Sequence, residues 1–236
     1  MSTCPEMQDL FFRTMVTYNC KPMKTIKLIL ATVLGAVMCA PMGVKAQTAV
    51  VDAFKSAPAA VFPLIDSSTR LDMIDYYNSP SNVGATNALS GRSRITELTP
   101  ESMRIAMTSS SHYQVVALPM GNETLTAVLT TVLTPAPDSK MTVYSSDWSN
   151  AVTDKVFSRP VLKDWLTADG RKNIDEVEML VPFLLVGYDF DPATKTLTLT
   201  NNVASFLSEE VYEIVKPYFH NQLQYSWNGK KFVAVK

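Results

Sequence analysis

Between Met103 and Tyr144 apolar and polar residues alternate with a period of two, and short polar connections cut the run into segments. Met103, Ile105 and Met107 alternate with Arg104 and Ala106, Tyr113 to Leu118 follows, and Glu123 to Leu133 is a long Thr/Val/Leu alternation before Met141 to Tyr144. That period places successive side chains on opposite faces of a strand. The links Met120-Gly121-Asn122 and Pro135 to Ser139 are too short for a crossover, so neighbouring strands must run antiparallel. An antiparallel sheet with one face to bury is the first constraint on this chain.

The flanking segments supply the cover. Ala49 to Phe54 predicts a short helix ended near Pro58, and Thr69-x-x-Asp72 predicts a capped start for a second with Leu71, Ile74 and Tyr77 inward. Asn78 to Ser93 is rich in turn residues and predicts the longest irregular segment. Beyond the sheet, Ser158 to Leu166 predicts a helix and Val177 to Phe190 an apolar strand region, edge-placed because Pro182 lacks a ladder donor. Asp191-Pro192 predicts a turn into Thr196 to Thr200, with Leu197 and Leu199 buried. Ser208 caps a helix with Val211, Ile214, Val215 and Tyr218 inward, shortened by Pro217. Asn228-Gly229 predicts a two-residue hairpin pairing Trp227 with Lys230 and Tyr225 with Phe232. The expectation is an α+β fold, antiparallel β-sheet with helices packed on one face. Two halves of one helix and about four strands each, 47–155 and 156–236, are the duplicated form of it, although no repeat aligns residue by residue.

Met23 to Ala46 has the form of an export signal: Lys24 and Lys27, an apolar run from Leu28 to Ala40, then Pro41, Gly43 and a small-residue end. Cleavage between Ala46 and Gln47 is expected, with 1–22 an upstream extension that is not native and 47–236 a single exported domain, periplasmic or extracellular, without a transmembrane anchor. A helix over the 13 residues Leu28 to Ala40 is about 20 Å long, short of the roughly 30 Å needed to span a bilayer. Cys4, Cys20 and Cys39 all precede that cleavage point, so the mature chain has no thiol, disulfide or iron–sulfur chemistry. It keeps 16 Lys+Arg against 20 Asp+Glu and no long basic run, which argues against nucleic acid as a partner.

Chemical motifs are sparse. His112 follows Thr108 to Ser111 and fits a polar turn better than a Ser–His pair, and His220 fits a helix end. Asp72 with Asp75, and Asp189 with Asp191, are the carboxylate pairs that glycoside hydrolysis would require. Arg92 and Arg94 could hold an anion through their planar guanidinium groups; with Asn87 in the same segment and Trp148 beyond the sheet they form the candidate binding set. Trp148, Trp165 and Trp227 are candidate sugar-stacking rings or core residues. No catalytic residue, cofactor or metal site is indicated.

Three blocks, Thr69 to Tyr76, Asn87 to Gly91 with Ile95 to Thr99 and the Met103 strand, and Thr131 to Tyr144 ending in Asp147-Trp148, resemble a family of secreted proteins of unknown function from Bacteroidetes-type gut bacteria. The resemblance implies a Gram-negative envelope setting and carries no activity. The expected function is a non-catalytic binding or interaction module whose partner is an envelope protein or polysaccharide; the alternative is a carbohydrate-directed hydrolase using a carboxylate pair.

Overall fold

A computed structural model describes residues 42–235. The expected upstream extension and most of the expected leader lie outside them; Met42 to Ala46 open the first helix. That helix, α1 (Met42–Ser56), ends before Pro58 as the sequence predicts. α2 (Ser67–Tyr77) is capped by Asp66, whose carboxylate accepts from the Thr69 amide, one turn ahead of the expected Thr69 start. Its inward face is Arg70, Met73 and Ile74, whereas Leu71 is exposed. The expected inward set was therefore rotated around the helix.

Six strands form the first sheet, in chain order: β1 (Ala85–Thr86), β2 (Arg92–Leu98), β3 (Ser102–Thr108), β4 (Ser111–Met120), β5 (Glu123–Val132) and β6 (Asp138–Tyr144). All neighbours are antiparallel. β1 lies inside the expected irregular segment and β2 runs from its end through a stretch where no strand is expected, because polar Arg-Ser-Arg and a bulge between Ile95 and Glu97 mask the alternation. One face, with Ile95, Met103, Ile105, Met107, Val115 and Val128, packs on Val50 and Phe54 of α1 and on Phe62 and Met73.

After β6 come four short helices, α3 (Thr153–Val156), α4 (Leu162–Trp165), α5 (Ala168–Lys172) and α6 (Ile174–Leu180). The expected 158–166 helix shrinks to the single turn of α4, and Val161 before it is exposed. Val177 and Val181 are buried four residues apart, so the expected strand there is α6 instead. The second sheet has the order β10-β9-β8-β7: β7 (Val186–Asp191), β8 (Thr196–Asn201), β9 (Gln222–Trp227) and β10 (Phe232–Ala234). Between β8 and β9 lies α7 (Glu209–Val215), capped by Ser208, then a 3₁₀ turn containing Pro217. Of its expected inward face only Val215 is fully buried, and Ile214 is exposed. The terminal hairpin pairs Trp227 with Phe232 and Tyr225 with Ala234, a shift of two residues from the expected register. Asn228 makes the difference, since its side chain accepts from the amides of Lys230 and Lys231 and builds a four-residue loop. A shift of two keeps every side chain on its face, so the aromatic pair survives with Trp227 in place of Tyr225, ring centroids 5.1 Å apart.

Residues of both sheets and of α3, α4, α6 and α7 share one core, including Val116, Leu129, Trp165, Leu197, Leu199 and Phe232. β7 lies across the first sheet at the edge of its own. Its outward N–H groups at Val186, Tyr188 and Phe190 donate to Asp138 Oδ1 (3.1 Å), Ser139 Oγ (2.9 Å) and Gln114 Oε1 (3.1 Å). Gln114 Nε2 then donates to the Phe190 carbonyl at 2.7 Å, so one side-chain amide does what a neighbouring strand would do. Trp227 Nε1 adds a bond to the Pro119 carbonyl of β4.

Gln114 is 2% exposed, and Gln114→Leu keeps its bulk while orphaning a buried N–H and C=O of Phe190. The expected loss is about 3 kcal/mol by urea denaturation, at about 1–3 kcal/mol per unsatisfied group. Arg70 differs: it is buried against the Phe62 ring, and its Nε and Nη1 have no hydrogen-bond partner among the described residues. Arg70→Met keeps the stem and removes a desolvated charge, so stability equal to or above wild type is expected in the same assay, whereas Arg70→Ala loses the packing as well.

Candidate functional site

β6 is the last strand of the first sheet, and only part of its outer edge is covered. Beyond Tyr144 the chain turns at residues 145–150 and folds back, pairing Ala151 with Tyr144. The Val152 amide donates to the Val143 carbonyl at 2.7 Å, and the Val143 amide donates to Thr153 Oγ1 at 2.9 Å. Since Val143 directs its main-chain groups away from β5, alternation directs those of Met141 and Ser139 the same way. The chain leaves the edge at α3, and among the described residues nothing pairs with those groups of Met141 and Ser139.

They face a groove of about 530 Å³ that wraps the edge, with Met141, Thr142, Thr153, Phe157, Arg159 and Tyr188 in its walls. Ser139 and Met141 present their side chains toward the second sheet; Lys140 and Thr142 present theirs to the opposite face. Lys140 and Arg159 are exposed and form no salt bridge among the described residues. Burial pushes the Tyr188 hydroxyl above its ordinary range; the nearby Arg159 opposes this and Asp138 reinforces it. Asp138 is already engaged by the Val186 amide.

The turn that covers the upper part of the edge carries Trp148 with φ +62°, a conformation a bulky residue rarely adopts. Its ring packs on Tyr144 at 5.1 Å, and its Nε1 donates to Ser56 Oγ at 3.3 Å, tying the turn to the end of α1. Asp147 accepts from Ser145 Oγ, Ser149 Oγ and the Ser149 amide.

The other candidates lie apart from this groove. Asn87 is buried: its carbonyl oxygen accepts from the Leu89 and Gly91 amides, and its Nδ2 donates to Ser93 Oγ and the Met107 carbonyl. Arg92 donates to the Gly84 carbonyl, and with Asn87 and Leu89 it borders an open concavity of about 480 Å³. Arg94 is exposed on β2 opposite Ala106. Trp165 and Trp227 are core residues. Asp72 and Asp75 are exposed on α2. Asp189 binds Arg104 Nη1 at 2.7 Å, and Asp191 is held in its own turn by the Ala193 amide and Thr194 hydroxyl. His112 is half-buried on β4, its pKa lowered by burial and then by Arg104 despite the pull of Asp189. His220 is exposed, and its amide donates to the Trp165 carbonyl. Lys140, Met141 and Arg159 were not candidates from sequence; the signal was a lysine inside a strand with no following strand to pair it, the usual mark of a guarded edge.

A family model described as protein of unknown function (DUF3256) matches residues 42–232. The chain belongs to this family. That match spans α1 and both sheets. Among solved structures, a domain of an uncharacterised protein from Porphyromonas gingivalis superposes with a TM-score of 0.66 at 19% identity, covering 79% of this chain and 98% of that one. At that identity the likeness concerns the fold. No curated protein matches the chain. Among the described residues no helix is long and apolar enough to cross a membrane.

Serine donors, Ser145 before Ser149, hold the Asp147 carboxyl down at about 2, below its ordinary 3.8. A depressed carboxylate contributes order above its unfolded pKa and loses it as pH falls through the folded one. The turn is thus expected to stay ordered at pH 4 and loosen toward pH 2. Carbon-detected NMR titration of Asp147 checks this, and Ser145→Ala should move the midpoint upward.

Proposed function

We propose that this member of the family is an exported, non-catalytic interaction module, and that the groove on the β6 edge is where its partner sits. The observation that carries the reading is the pair of outward main-chain sites at Ser139 and Met141 inside a groove of about 530 Å³. Exposed loops and unpaired edges are where rigid scaffolds offer contacts, and here the scaffold behind the edge is anchored by the Gln114 clamp. The compartment follows from the leader-like segment before Gln47. Cleavage there leaves Val50 and Phe54, the buried anchors of α1, in place, so 47–236 works as one unit.

A photo-reactive benzoyl-phenylalanine placed at Thr142 should give a discrete adduct in cells of the native host, and the same probe at exposed Asp72 should not. Equal labelling at both positions, or none at Thr142, overturns the groove as the contact surface. Intact mass of the same material is expected to start at Gln47; a chain recovered with its first 46 residues would remove the export part of the reading.

A further inference from the structure

We infer that the open stretch of β6 takes an extended acidic polypeptide segment of a partner protein as an added strand. This deepens the interaction reading above and rests on it. Two features of the edge define the occupant. Ser139 and Met141 each offer an N–H and a C=O, and strand geometry sets these pairs about 7 Å apart. An extended polypeptide carries donors and acceptors alternating at that repeat, and a sugar polymer does not. The chain already uses the same edge in this way two residues further on, where Val152 and Thr153 bond to Val143. An incoming strand would continue a pairing that the protein itself begins.

Side chains set the sequence preference. A residue opposite Lys140 shares its face, while those opposite Ser139 and Met141 share the face on which Phe157 and Tyr188 line the groove. The favoured pattern is therefore apolar, acidic, apolar, with the acid set against Lys140. Arg159, which forms no salt bridge among the described residues, adds a second cation to the groove. Of the carboxylates in the groove, Asp138 is spent on the Val186 amide, and Asp154 sits in the first turn of α3. The same lysine disfavours a second copy of this chain: two β6 edges joined so that Ser139 of one bonds Met141 of the other would put their Lys140 side chains directly opposite.

The test uses the isotope-labelled domain and an acetylated, amidated heptapeptide alternating valine and glutamate, with three controls: lysine in place of glutamate, and N-methylation of either alternate set of amides. The expected result is shifts of the Ser139 and Met141 amides, abolished by one N-methylated set and retained with the other. Lys140→Glu, a surface change checked by its unaltered melting temperature, should weaken the glutamate peptide about tenfold, the equivalent of about 1.4 kcal/mol, and favour the lysine peptide. Insensitivity to both N-methylations, shifts confined to another surface, a dimer in sedimentation that Lys140→Glu abolishes, or binding at these amides by an oligosaccharide but not by the peptides would each overturn the inference. If Thr142 crosslinks in cells while the peptides fail, strand addition falls and the interaction module stands; if neither binds, both fall.

Discussion

The Gln114 amide is the interaction on which the arrangement of the two sheets depends. A strand at the edge of a sheet has an N–H and a C=O at every second residue that must find partners, and β7 is such a strand buried against another sheet. Asp138, Ser139 and Gln114 accept from the three outward N–H groups with side chains of the first sheet, and Gln114 also donates to the Phe190 carbonyl. Apolar contacts around Leu129, Leu197 and Phe232 provide most of the favourable burial, but they would tolerate many relative placements. Directional bonds to one strand edge select among them, and the Arg104–Asp189 pair at 2.7 Å adds a fourth tie at the periphery.

The same accounting explains where a contact surface remains. Four strands lie at sheet edges, and the protein treats them differently. β1 has two residues and β10 three, too short to template much pairing. β7 has its outward N–H groups bonded by side chains of the first sheet. β6 is covered at Val143 by its own returning chain and open at Met141 and Ser139, with Lys140 standing between them. An edge guarded by one lysine resists its own copies while remaining available to a strand of complementary charge.

Parts of this were legible in the residues. The alternation from Met103 to Val132, the turn at Asp191, the burial of Leu197 and Leu199 and the Ser208 cap all appear where local chemistry places them. The failures have identifiable causes. β2 is hidden because the buried face carries polar Ser93 between the exposed Arg92 and Arg94, and a bulge shifts its phase. The end of α6 from Val177 resembles a strand because Val177, Met179 and Val181 recur every second residue, while Val177 and Val181 also fit one helix face. The candidate binding residue Asn87 shapes the turn that ends at Gly91 through both ends of its side-chain amide, a role that its place in a turn-rich segment does not reveal.

What the sequence alone determined is the antiparallel run of strands from Met103 to Tyr144, the turn at Asp191 and the Ser208 cap, because strand period, turn residues and caps act over a few residues and need no distant partner. Tertiary structure alone decided which edges close and which stay open. Gln114 and Phe190 lie 76 residues apart, and no local pattern marks one as the other's hydrogen-bond partner. The groove at β6 has the same origin: it exists because the returning chain pairs with Val143 and then departs at Thr153, a matter of where the backbone goes in space and not of any motif along it.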